Sequence, residues 1–171
     1  MIVVMAGLPG TGKSTLARAL AQETGGIVLN KDILRESLFP EEFLEYSTQQ
    51  DDFVQDAMQR TAEYLLTRHS NLAVFFDGRT FSRRYQLDSV IGLAEKLGTP
   101  WRIIECICSE SVAEHRIERA ERHPAKNRSI DLYRRIRDQF EAIDKPKLLL
   151  NTDGAFAPSL AAAKEYLKSS T

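Results

Sequence analysis

Cysteine is nearly absent: Cys106 and Cys108 are the only two in 171 residues. Two thiols cannot build a disulfide scaffold. Spaced i, i+2 on a strand they would point the same way, and they read as buried core thiols of a cytosolic protein rather than a metal or redox pair. Net charge is lacking too. The 23 Lys and Arg against 24 Asp and Glu leave −1, so no global field draws the chain to nucleic acid or anionic lipid. The longest apolar runs, Met1–Ala6 and Leu72–Phe76, fall far short of the roughly 20 residues of a membrane helix. Met1 leads directly into the first of them with no basic stretch, so no signal peptide and no membrane partner are expected, and a cytoplasmic location is. His69, His115 and His123 show no metal-ligand spacing. Repeats, low-complexity tracts and linkers are missing. These absences exclude secreted, membrane, disordered and histone-like classes. They leave one small cytosolic domain over residues 1–171, and name no chemistry.

What is present is an alternation. Apolar, β-branched runs at Ile2–Met5, Ile27–Leu29, Leu72–Phe76, Trp101–Cys108 and Lys147–Leu150 read as strands. Between and after them, helical patterns run over Ser14–Glu23, Asp32–Leu38, Thr48–Arg68, Ser82–Leu97, Ser111–Arg122, Ser129–Ile143 and Pro158–Lys168. Ser111 with Glu114 reads as a capping box, Ser129 as a second serine cap, and Pro158 as a helix start. Continuous apolar strands separated by helices predict an α/β fold, a parallel sheet with helices on both faces. Ligands of such sheets bind beyond the carboxyl ends of the strands, which directs attention to residues 7–14, 30–35, 77–84 and 151–154.

Gly7-Leu8-Pro9-Gly10-Thr11-Gly12-Lys13-Ser14 satisfies G-x-x-x-x-G-K-[ST] between a strand and a helix, where a phosphate-binding loop must lie. Glycines let successive amides converge on a phosphate, and the helix N-terminus adds its dipole. Lys13 reaches the β- and γ-phosphates, and the Ser14 hydroxyl is the candidate Mg²⁺ ligand. A nucleoside triphosphate is therefore the expected ligand, and phosphoryl transfer or triphosphate hydrolysis the expected chemistry.

Three further groups bear on the reaction. Asp32 and Arg35 lie i, i+3 on one helix face. The carboxylate suits either a base for an attacking hydroxyl, with the guanidinium holding the acceptor, or a helix cap beside a surface arginine. Asp77 ends an apolar strand, as a carboxylate that orients Mg²⁺ or its waters does, or as part of an Asp-Gly turn; Arg79 follows. Arg116, Arg119 and Arg122 form a helical stripe, with Arg128 beyond. Glu114–Arg137 holds eight Lys and Arg against four Asp and Glu. Local pairing with Glu114, Glu118 and Glu121 is one account of the stripe. A lid over about residues 114–137, closing on a triphosphate, is the other.

An opposite segment precedes it. Glu36–Asp56 carries seven acidic residues and no Lys or Arg. It reads as a solvated face, or as the wall of an acceptor pocket. In the second case the acceptor is a short nucleic acid end, a nucleoside, or a neutral or cationic small molecule.

The order GLPGTGKST, NKDILR, FFDG and arginine lid resembles small P-loop kinases of the zeta-toxin and polynucleotide kinase group, an AAA_33-like family. Within that group it is most similar to the bacteriophage-type 5′-hydroxyl polynucleotide kinase domain, through Asp32-Ile33-Leu34-Arg35 and Ile130-Asp131-Leu132-Tyr133-Arg134. The resemblance implies a P-loop NTPase three-layer sandwich with a five-stranded parallel sheet in the order 2-3-1-4-5. It implies ATP and Mg²⁺, and phosphate transfer to a hydroxyl: the 5′-OH of a polynucleotide or nucleoside, or alternatively of a small molecule; a nucleotide-binding module without turnover is a third reading. By resemblance the catalytic set is Lys13, Asp32 as base, and Arg122 or Arg119. Gly10, Thr11, Gly12, Lys13, Ser14, Thr15 and Arg116 hold the nucleotide, whose adenine lies between the lid and residues 151–154. Arg35, Asp77 and Arg79 face the acceptor.

Overall fold

The computed structural model describes residues 1–119 and 129–169. Five parallel strands, β1 (Ile2–Ala6), β2 (Ile27–Asn30), β3 (Val74–Asp77), β4 (Trp101–Ile107) and β5 (Leu148–Asn151), form one sheet in the order β2-β3-β1-β4-β5. The order is the one the resemblance implies. Around the sheet lie α1 (Lys13–Thr24), α2 (Lys31–Leu38), α3 (Thr48–Leu66), α4 (Arg84–Lys96), α5 (Glu110–Glu118), α6 (Ile130–Asp138) and α7 (Phe156–Lys168). Among the described residues, no helix is long and apolar enough to cross a membrane.

β1 is buried along its whole length because both faces are covered. Its side chains alternate. Ile2 and Val4 join Phe76 against Val54 and Met58 of α3 and Leu87, Val90 and Ile91 of α4. Val3 and Met5 join Phe75 against Leu16 and Leu20 of α1 and Ala163 and Leu167 of α7. Each side chain buried from water contributes about 1.5–3 kcal/mol. The two cores hold the strand ends in register, and Asn30 of β2 stands opposite Asp77 of β3.

Several element boundaries differ from the sequence expectation. The third strand starts at Val74, not Leu72, and the fourth ends at Ile107, leaving Cys108 beyond it and half-buried while Cys106 is buried. α5 begins at Glu110 after Ser109, so no capping box forms at Ser111 and Glu114. The Ser109 amide and hydroxyl donate instead to Asp153 Oδ1, at 2.8 and 3.1 Å. Ser129 does cap α6, accepting from the Leu132 amide at 3.1 Å, but that helix stops at Asp138 rather than running to Ile143. α7 starts two residues before Pro158, which falls in the first turn, where no amide donor is needed.

Candidate functional site

The phosphate-binding loop is built on one carbonyl. Leu8 O accepts from Thr11 Oγ1 at 2.7 Å and from Lys13 Nζ at 2.7 Å, so the loop is curled and its lysine is folded into it. Gly10 has φ +80°, and a Cβ there would stand 2.7 Å from Ala113 O, so only glycine lets the loop lie against α5. Ser14 is half-buried, while Thr15 is exposed on the outer side of the first turn. The first amides of α1 lack partners within the helix and give the loop its anion-binding face.

Asp32 is not the cap of α2. That role belongs to Asn30, whose Oδ1 accepts from the amides of Asp32 and Ile33, both at 3.0 Å. Asn30 also donates through Nδ2 to Asp77 Oδ2 at 2.6 Å. With the cap supplied from outside, the Asp32 carboxylate is left to line the cleft.

That cleft, about 640 Å³, runs from the phosphate loop to α3 and brings Lys13, Ser14, Asp32, Arg35 and Arg79 into one cavity. Asp77, at the end of β3 next to the lining residue Gly78, is wholly buried. The sequence expectation grouped these residues around one site and left open whether the acidic segment would face it. Asp51 Oδ1 accepts from Lys31 Nζ at 2.9 Å and pairs with Arg35 NH2. Asp32 Oδ1 lies 3.3 Å from Arg35 NH1 and 3.5 Å from Lys31 Nζ. Asp52 Oδ1 accepts from Arg79 NH2 at 2.6 Å, and the same nitrogen reaches the Tyr85 hydroxyl at 3.3 Å. Burial pushes Lys31 down to about 8, and burial likewise lowers Arg35. The Tyr46 ring lies 4.9 Å from the Arg35 guanidinium, on a backbone with φ +53°. A left-handed backbone at a residue with a side chain costs energy and marks a site held by its surroundings.

The acidic segment is thus neither a uniform solvated face nor a uniform wall. Glu36, Glu41, Glu42, Glu45 and Asp56 are exposed; Asp51 is half-buried against Lys31 and Arg35, and Asp52, itself exposed, pairs with buried Arg79. The signal available in sequence was their place on the same helical face as buried Gln55, one turn on.

The arginine stripe divides as well. Arg116 braces the loops: NH1 donates to Gly10 O at 3.3 Å and Thr152 Oγ1 at 3.0 Å, and NH2 to Thr152 O at 2.6 Å. Thr152 Oγ1 in turn reaches Thr11 O at 3.0 Å, tying the β5–α7 loop to the phosphate loop. Arg134 and Arg137 both donate to Glu110, at 2.9 and 2.6 Å, clasping α6 to α5. Arg119 is exposed at the end of α5. Arg122 and Arg128 lie outside the described residues. Leu132, Ile136, Gln139 and Glu141 bring α6 and its following loop to the cleft.

Two oxygen groups fit a magnesium ion. Ser14 lines the cleft, and Asp77 Oδ1 is fully buried with no hydrogen-bond partner among the described residues. Hard oxygen donors at such a position suit Mg²⁺ held with its waters and substrate phosphates. Among the described residues no three His, Cys, Asp or Glu form a cage for a metal on their own.

Comparison with known proteins gives the same fold. The AAA-domain family AAA_33 matches residues 2–143. A candidate kinase from Chloroflexus aurantiacus superposes with a TM-score of 0.73 at 22% identity, covering 98% of this chain and 96% of that one. A gluconokinase from Sinorhizobium meliloti gives 0.69 at 19% identity, over 97% and 94% of the two chains. An APS kinase from Mycobacterium tuberculosis, in complex with AMPPNP and APS, gives 0.69 at 18%, over 98% and 97%.

Proposed function

Since the chain belongs to the AAA_33 family of AAA domains, we propose that it is an ATP-dependent kinase transferring the γ-phosphoryl group to a hydroxyl of an acceptor seated between α2, α3 and the β3–α4 loop. One observation carries this reading: the phosphate loop and the Asp32–Arg35 pair share a single cleft.

In the proposed reaction the amides of Gly10–Thr15 and Lys13 hold the β- and γ-phosphates. Ser14 and Asp77 would hold Mg²⁺ and its waters, which neutralise phosphate charge. The acceptor hydroxyl loses its proton to Asp32. Its oxygen bonds to the γ-phosphorus, the bond to the β–γ bridging oxygen breaks, and ADP leaves. Arg116 is committed to bracing the loops around the base, so Arg119 and Arg122 are the positions from which α5 and the segment beyond it would add charge to the transferring group. Arg35 and Arg79 shape the acceptor side with their carboxylate partners. The second reading is the 5′-OH of a nucleoside, the form of a nucleic acid end that does not ask Arg35, already paired with Asp32 and Asp51, to hold a phosphate.

Labelled ATP with a panel of sugars, nucleosides and 5′-OH oligonucleotides tests the activity. Transfer to one class, lost about 10²–10⁴-fold in Asp32→Asn, is expected. Steady ATP hydrolysis without transfer to any hydroxyl would overturn the reading.

A further inference from the structure

On the reading of this cleft as an acceptor site, we infer that Asp51 is a resident counter-anion that sets acceptor charge. It occupies the position between Lys31 and Arg35 that an anionic group of the acceptor would need, and so commits the pocket to an uncharged, hydroxyl-bearing molecule.

The geometry leaves Arg35 little to offer a second anion. Its side chain is 2% exposed. NH1 faces Asp32 and NH2 faces Asp51. Nε and NH2 are both buried away from solvent, and Nε has no hydrogen-bond partner among the described residues, so only displacement of Asp51 or Tyr46 would bring a ligand to them. The face of the guanidinium is covered by the Tyr46 ring. Lys31 shares the same Asp51 oxygen at 2.9 Å. Arg79 is likewise occupied by Asp52.

Each cation at the acceptor end has a carboxylate partner: Lys31 and Arg35 have Asp32 and Asp51, and Arg79 has Asp52, while Lys13 of the same cleft is folded into the phosphate loop and Arg83 pairs with Glu141. An incoming phosphate or carboxylate would have to displace Asp51 or lie beside it, and like charges at such close range repel. An uncharged hydroxyl compound meets no such repulsion. It finds carboxylate acceptors, the Tyr85 hydroxyl at the rim and the Tyr46 ring in the wall of the cleft.

Removing the resident anion should expose the site. With the phosphate loop filled by Mg²⁺ and AMPPNP, inorganic phosphate binding is measured by equilibrium dialysis for the wild type, Asp51→Asn and Asp51→Glu. The wild type and Asp51→Glu are expected to show no saturable site below about 10 mM. Asp51→Asn should bind one phosphate at least about tenfold more tightly, the scale of a hydrogen bond to a charged group. The added change Arg35→Met should abolish that site. Saturable sub-millimolar phosphate binding by the wild type, or none gained by folded Asp51→Asn, overturns the inference. Should Asp51→Asn not fold, the wild-type measurement still decides.

A second arm compares uncharged sugars and nucleosides with their monophosphates as acceptors of the wild type. Preference for the monophosphates overturns the role of Asp51 while leaving the kinase reading intact. Phosphate binding gained in Asp51→Asn by a protein that phosphorylates nothing overturns the kinase reading alone.

Discussion

Asn30 and Asp77 are hydrogen-bonded across the carboxyl ends of two adjacent strands, Nδ2 to Oδ2 at 2.6 Å. The other end of the same amide caps α2. One side chain therefore fixes the helix carrying Asp32 relative to the buried carboxylate at the end of β3. Asn30→Ala is expected to cost about 1–2 kcal/mol for the cap, and about 1–3 kcal/mol more for leaving Asp77 wholly buried and unpartnered. Asn30→Asp keeps the cap but sets one carboxylate against another. It should be at least as damaging at pH 7 and recover as the pH falls far enough to protonate one of the pair. Urea unfolding of both variants checks this. Wild-type stability in Asn30→Asp at pH 7 would show that the Asn30–Asp77 bond contributes nothing.

Arg116 holds Gly10 and Thr152 together through three hydrogen bonds. Arg116→Ala should therefore destabilise the protein without any nucleotide present, by about 1.5–3 kcal/mol, and weaken nucleotide binding as a consequence. Thermal unfolding of the ligand-free variant separates this from a direct nucleotide contact. An unchanged Tm with weaker ATP binding would place Arg116 on the nucleotide instead of between the loops.

The parts of this molecule legible in sequence are those written in consecutive residues. β1 and β3 are buried on both faces, so they read as unbroken apolar runs. The phosphate loop is a backbone motif, and its glycines and lysine are adjacent. What escaped is set by strand register and helix packing. Asn30 and Asp77 are 47 residues apart and meet only because β2 pairs with β3. Lys31 and Asp51 are 20 apart and meet where α2 packs on α3. Asp32 and Asn30 are both good capping types, and only the extended backbone of Asn30 decides between them. Arg116 and Arg119 look equivalent one turn apart, yet one is braced and the other exposed.

Gly78 has φ +84°, and a Cβ there would stand 2.8 Å from the Lys31 amide nitrogen and 3.1 Å from Asn30 Oδ1. Gly78→Ala must push the β3–α4 loop off the start of α2, on top of about 1–2 kcal/mol for a left-handed backbone. Gly98 offers an internal control, with φ +59° and nothing within 4 Å of an added Cβ. Both variants should lose stability. Gly78→Ala alone should lose phosphoryl transfer, because it displaces Lys31 and Asp32. Equal transfer rates in the two folded variants would mean that the start of α2 tolerates the shift.

Burial pushes Lys31 down from 10.5 to about 8, outweighing its attraction to Asp32. Between those values the unfolded chain holds the proton and the folded one has released it, so this lysine makes stability rise with pH across the window. The full span corresponds to about 3 kcal/mol. The charged groups that act on the shift are Asp32 and Arg35 on α2 and Arg79 from the β3–α4 loop, and Asp51 on α3 also faces the ammonium at 2.9 Å. Lys31→Met carries no such proton, and most other titrations cancel in the comparison. The stability of the wild type minus that of Lys31→Met should therefore grow from pH 7.5 through 8.5 to 9.5, measured by urea unfolding at each. A difference that instead shrinks with rising pH would show that Asp51 and Asp32 raise the lysine above its ordinary value, with the ion pairs dominating over burial.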